Sequence, residues 1–152
     1  MATQATNRRE AALYEDIYKN VKMGASSTVD MMKRLTDGQL KAELGRELAE
    51  YETLAKEAGD ALRKMGVEPK EETLMARMSA KAGVMMNTMI DSTPSHIAGM
   101  VIEGCAMGTS DLVKSMNACR REDDGACGEA MSLAQRAVRF EEECAEKMKA
   151  YL

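Results

Sequence analysis

Few side chains in this chain are suited to chemistry. Glu141 and Cys144 form a Glu-x-x-Cys, and Cys105 stands in an earlier apolar stripe. A spacing of three puts Glu141 and Cys144 on one helix face. Sulfur and carboxylate together suit a thiophilic metal such as zinc. Glu47 and Tyr51, four residues apart, are the polar groups that could face them from another helix. Two readings of Glu141 stay open. In one, its carboxyl is a buried acid satisfied by the Tyr51 hydroxyl, a backbone group or a water, because buried carboxyls need partners. Desolvation then raises its pKa. In the other, Cys105, Glu141 and Cys144 ligate one zinc or iron ion, with Tyr51 and Glu47 as neighbours.

Other chemistry is thin. The only histidine, His96, falls in the first turn of a helix. Asp123 and Asp124 lack the spacing of a calcium loop. A methionine face at Met75, Met78, Met85, Met86 and Met89 reads as packing rather than as copper(I) ligation, because Met fills irregular gaps. No nucleophile–base pair, phosphate loop or acid–base carboxylate pair is visible, so the reading leans against an enzyme.

Five helical segments must position these residues. The segment at 94–119 opens with Thr93 as N-cap and Pro94 at the first helical position. Its stripe is Ile97, Val101, Cys105, Gly108, Leu112, Met116 and Cys119. Ile102, Ala106, Val113, Met100 and Met107 make it apolar nearly all round, which predicts cover by several neighbours. A helix at 7–35 carries Leu13, Ile17, Val21, Gly24, Thr28, Met31 and Leu35 on one face. Gly24 is expected to allow the close approach of another backbone. After a break at Thr36, Asp37 and Gly38, a helix at 39–65 carries Leu40, Leu44, Leu48, Tyr51, Ala55, Ala58 and Leu62. The short break predicts an antiparallel return, and Gly66 is the expected C-cap. Residues 71–90 form a short Met-rich helix within a long connection. A final helix at 129–151 carries Ala134, Ala137, Val138, Glu141, Cys144 and Met148.

The chain has 152 residues, enough for one domain with a sizeable core. Only 3% are aromatic and two are proline, against abundant Ala, Glu, Lys and Met, which predicts an all-α protein. The formal net charge of -4 and the lack of a basic patch exclude nucleic acid as an expected partner. No apolar run suits a membrane span, and the N-terminal segment has no apolar core of a secretory signal. A cytoplasmic protein is therefore expected. The four cysteines read as reduced thiols; only Cys119 and Cys127, flanking a loop, could pair.

The halves of the chain echo each other. Met23, Gly24, Ser26 and Val29 align with Met107, Gly108, Ser110 and Val113, and Tyr51 aligns with Glu141. Two helical hairpins joined by a long crossover form a four-helix bundle of the ferritin-like arrangement. This layout, with DGQLKAELGRELAEYETLAKEAGDALRKMG and HIAGMVIEGCAMGTSDLVKSM, resembles the small ferritin-like bundle proteins of bacteria, over most of residues 10–152. The resemblance implies a mid-bundle site with a Glu on the first and third helices and a Glu-x-x-His on the second and fourth.

Reflection about the two loops puts Val21, Tyr51, Leu54, Cys105, Glu141 and Cys144 in the middle layer. Val21 and Cys105 stand where glutamates are needed, and Cys144 where a histidine is needed. The di-iron site is therefore expected to be lost. Three functions follow as expectations. The first is a non-catalytic structural or interaction protein, metal-free and homodimeric through its surplus apolar residues. The second is a metal-binding or redox protein using Cys105, Glu141 and Cys144. The third is a small-ligand binder using space beside Gly24, Gly108, Ala55 and Ala58.

Overall fold

The computed structural model describes residues 2–71, 91–122 and 127–152. Its described residues form four α-helices and no strand: α1 (Ala2–Met32), α2 (Gly38–Lys64), α3 (Pro94–Glu122) and α4 (Gly128–Met148). A 3-10 turn, Lys149–Tyr151, extends α4. The expected Met-rich helix lies, from residue 72 on, outside the described residues.

The helix ends follow local chemistry. Asp37 caps α2, its carboxylate accepting the Leu40 N–H at 2.8 Å. Thr93 caps α3 through a 3.4 Å bond from the His96 N–H. At the end of α2, Gly66 takes a φ of 77°. The Val67 N–H then reaches the Leu62 carbonyl at 2.9 Å and the Gly66 N–H reaches that of Arg63 at 3.0 Å. This pair of bonds is the Schellman arrangement, which needs a left-handed residue where a Cβ is costly. α1 starts at Ala2 rather than at 7 and stops at Met32, with Leu35 still buried in the turn that follows. Residues before Asn7 include good helix formers that extend the helix outward.

Cross-helix contacts define directions. Gly24 faces Tyr51, Gly45 faces Met32 and Gly59 faces Tyr18, so α1 and α2 are antiparallel. Gly108 faces Glu141 and Cys119 meets Cys127, so α3 and α4 are antiparallel too. Ion pairs Arg136–Glu57 at 2.6 Å and Lys147–Glu43 at 3.8 Å set α4 antiparallel to α2. α2 and α3 therefore run in the same direction. α1 also packs against α3 and α4, which closes the core.

That core has two apolar parts. One gathers Leu13, Ile17, Val21, Leu54, Leu62 and Leu112; the other gathers Met31, Leu40, Leu44, Ile97, Val101 and Met148. Phe140 packs against both. At their junction sit the buried polar side chains Glu47, Glu141 and Thr28.

Two expectations are corrected. α3 is not covered all round among the described residues: Met107 is 67% exposed and Val113 39%. Its neighbours are α1, α4 and the C-terminal turn, which leave the outer face open. Cys119 and Cys127 are not thiols but a disulfide, with Cα atoms 6.9 Å apart. The antiparallel hairpin brings them within bridging range, a proximity that outweighs an expectation drawn from compartment. Among the described residues no helix is long and apolar enough to cross a membrane.

Gly66→Ala is expected to lower stability by about 1–2 kcal/mol, the cost of a Cβ in the left-handed region. Gly38→Ala, at a site with open space, is the control and should not lower it. Chemical denaturation of both variants measures the difference; equal midpoints would show that the Gly66 turn is not a strained position.

Candidate functional site

The middle of the bundle is a layer of polar groups inside apolar walls. α2 supplies Glu47 and Tyr51, one turn apart on its inward face. α3 supplies Cys105, and Gly108 one turn on. α4 supplies Glu141 and Cys144. All the expected site residues are buried here: Glu47 is 3% exposed, Glu141 2%, Cys105 4%, Cys144 2% and Tyr51 5%. Val21 and Leu54 are buried in the same apolar cluster as Tyr51. His96 is exposed at the start of α3 and takes no part.

Two glycines make the layer possible. A Cβ on Gly24 would collide with the Tyr51 ring. A Cβ on Gly108 would stand 2.6 Å from both carboxylate oxygens of Glu141. Each hairpin thus uses the same device: a glycine on its first helix seats a large side chain on its second. The aligned pairs of the internal repeat, Gly24 with Gly108 and Tyr51 with Glu141, are structurally equivalent in this sense. The expectation at Gly24 is corrected in kind, because a side chain approaches it rather than a backbone. The space beside it is filled by Tyr51, so it offers no room for a ligand there. A cleft of about 860 Å³ lies instead toward one end, with Asn7, Tyr14, Lys64, Glu129 and Arg136 in its lining.

Polar neighbours temper the acids of the layer. The Tyr51 and Thr109 hydroxyls favour the ionised form of Glu141, and the Tyr51 hydroxyl favours that of Cys105. The Cys144 thiol interacts with both Cys105 and Glu47. The Tyr51 ring also meets Phe140 edge-on, with centroids 4.8 Å apart. Supply still falls short of demand: Glu47 Oε1 and Glu141 Oε2 are buried with no hydrogen-bond partner among the described residues. Across the bundle, Asn20 donates to the Gly108 carbonyl at 3.0 Å, and Thr28 to the Gly24 carbonyl at 2.8 Å. Thr109, Asn20 and Thr28 were not legible as site residues. Their signal was adjacency to the two Met-Gly pairs.

Burial sets the protonation states. Desolvation, and then the charge of Cys105, push Glu141 up to about 8 against the pull of its two hydroxyl donors. Desolvation and the neighbouring Glu43 push Glu47 up to about 7, opposed by Cys144, Lys147 and Arg46. Tyr51 is raised by burial and by Glu141. Hydrogen bonding between the thiols, the largest cause for both, lowers Cys105 and raises Cys144. Near neutrality Glu141 is thus a neutral acid, and Cys105 gives up its proton before Cys144.

The residues do not fit a di-iron centre. α1 and α3 offer Val21 and Cys105 at this level, and no histidine is present. Among the described residues, no group of three His, Cys, Asp or Glu side chains is arranged to hold a metal ion. Compared with known proteins, the chain matches no family model, no curated protein and no solved structure.

Raised carboxyl pKa values make stability depend on pH in a defined sense. Between an ordinary value of 4.5 and about 8, unfolded Glu141 is ionised while folded Glu141 keeps its proton. Stability is full below 4.5, falls as pH rises, and levels off above about 8. Glu47 adds a fall between 4.5 and about 7. The expected slope is on the order of 1 kcal/mol per pH unit for each group. Cys105 acts oppositely, and only up to its ordinary value of 9.0. Calorimetric Tm from pH 5 to 8.5 should fall in the parent and flatten in Glu141→Gln with Glu47→Gln; a flat parent profile would rule out two buried acids.

A thermodynamic cycle tests the glycine seats. Gly108→Ala should cost about 1–3 kcal/mol by overpacking, yet little in a Glu141→Ala background where the seat is empty. Gly24→Ala should behave likewise against Tyr51→Ala. Additive costs in either pair would break the link between glycine and seated side chain.

Proposed function

We propose that the protein is a ferritin-like four-helix bundle that has lost its di-iron site and serves a non-catalytic structural or interaction role. The carrying observation is the filled middle layer: Tyr51 packs against Gly24 and Glu141 against Gly108, where that arrangement holds its metals. Topology supports the same reading. α2 and α3 run in the same direction, as the second and third helices of the long-crossover arrangement do. The partner is a second copy of the chain, meeting it through the open face of α3. Met107 and Val113 are its exposed large apolar residues, and groups of such residues mark interaction surfaces.

The second reading is a zinc or iron ion held by Cys105, Glu141 and Cys144, which would have to shift toward it, since as they stand they are not grouped to hold a metal. The orphaned oxygens of Glu141 and Glu47 favour it, since a cation would satisfy them.

Elemental analysis of untagged protein purified anaerobically separates the two, beside a Cys105→Ser, Cys144→Ser variant. The expected outcome is no stoichiometric metal in either. Near-stoichiometric zinc or iron in the parent, absent from the variant, would establish the second reading in place of the first. Light scattering on a sizing column should give a dimer at micromolar concentration, converted to monomer by Met107→Glu; a monomeric parent would sink the self-association.

A further inference from the structure

The face that α3 turns away from the bundle has a pattern of its own. Met100, Glu103, Met107, Ser110, Lys114 and Asn117 follow one another at alternating steps of three and four residues. Such steps average about 3.5 residues and keep these side chains in one seam along the helix. It lies opposite the buried Cys105, Leu112 and Met116 and stands open. Met107 is 67% exposed; Glu103, Ser110, Lys114 and Asn117 are exposed and Met100 is half-buried. A Cβ on Gly104, beside the seam, would meet nothing within 4 Å.

The charges on this face have no use within the chain. Glu103 and Lys114 make no ion pair among the described residues. They stand eleven residues apart. That separation is about 16 Å along a helix, so they cannot pair with each other.

The seam reads alike from both ends. Turning α3 end for end about the midpoint between Gly108 and Thr109 exchanges Glu103 with Lys114, Met107 with Ser110 and Met100 with Asn117. A second α3 laid antiparallel on the first therefore sets each acid against a base, twice over, and each methionine against a smaller polar side chain. Antiparallel helices also bring like flanks together. Ala106 and Val113 share one flank, so Val113, 39% exposed, comes beside Ala106 of the second copy. Parallel in-register pairing would instead set Glu103 on Glu103 and Lys114 on Lys114, and like charges across an interface cost affinity. At the outer ends His96 falls opposite Arg121, which is no pair of opposite charges, so the contact centres on the turns from Met100 to Asn117.

We infer that two copies of the chain associate through an antiparallel, two-fold α3–α3 seam centred between Gly108 and Thr109, set in register by reciprocal Glu103–Lys114 ion pairs. This rests on the self-association proposed above and gives it a geometry. The two-fold axis makes the interface isologous, so each contact occurs twice. Met107, Ala106 and Val113 supply its apolar centre. The ion pairs choose the orientation, as charges along a coiled-coil seam do.

The first test needs no variant. A water-soluble carbodiimide condenses a carboxyl and an amine that touch, forming an amide with loss of water. Intact chains at natural abundance and labelled with nitrogen-15 are mixed, treated with it, reduced, digested and read by tandem mass spectrometry. The expected result is an amide between Glu103 of one isotope and Lys114 of the other, a link that helix length forbids within one chain. Sedimentation equilibrium then follows the charges. Lys114→Glu should weaken the dimer by about tenfold or more, since two attractive pairs become repulsive. Adding Glu103→Lys to the same chain should restore the parent affinity, because every facing pair is again of opposite sign. Both positions are exposed, and far-ultraviolet circular dichroism confirms that the variants stay helical. A monomeric parent would overturn this arrangement together with the self-association on which it rests. A dimeric parent that lacks the Glu103–Lys114 amide, or a double reversal no tighter than the single one, would overturn the arrangement alone and leave self-association standing.

Discussion

Desolvation of two carboxyls at one level of the bundle is the constraint on which the rest of this structure depends. Burying an ionised carboxylate costs several kcal/mol even after relaxation. Glu141 and Glu47 limit that cost by staying protonated to higher pH and by drawing on hydroxyl and thiol donors. Those donors come from three helices: Tyr51 on α2, Thr109 on α3 and Cys144 on α4. Axial shift of any of these helices would move a donor away from the acid it favours inside a low-dielectric layer, where an unpaired group is most costly. The layer thus sets register between hairpins that are otherwise held by apolar contacts, which fix distance better than register.

The glycines follow from the same constraint. A four-helix core at ordinary spacing has no room for a phenol ring and a carboxyl at one level. Removing a Cβ on the facing helix supplies it, at roughly 1 kcal/mol of helix propensity for each glycine. The seated side chains fill the space that this opens. Duplication of the arrangement, Gly24 with Tyr51 and Gly108 with Glu141, gives the internal repeat a physical meaning. Each hairpin carries one seat and one occupant. The occupants differ in chemistry: the phenol donates and the carboxyl accepts, so the halves complement each other across the centre.

The same close approach accounts for the thiols. Cys105 and Cys144 sit one turn along from the Gly108 seat, on the faces that α3 and α4 turn to each other.

Much of this was legible in the sequence. Periodicity located four helices to within a few residues, because apolar spacing of three and four reports which side of a helix faces inward. Capping chemistry at Gly66 and Thr93 placed two of their ends. Loop reflection brought Val21, Tyr51, Leu54, Cys105, Glu141 and Cys144 to one level, since rise per residue is constant along a helix. What periodicity cannot report is how close two helices come, or what fills the gap between them. Only the tertiary structure decided that Gly24 and Gly108 are seats and not clearances for backbone. It also decided that Cys119 and Cys127 are bridged and that the outer face of α3 lies open among the described residues. The proton affinities of Glu47 and Glu141 belong to the same class. They depend on water excluded and donors supplied by other helices, and no property of a residue within its own helix encodes either.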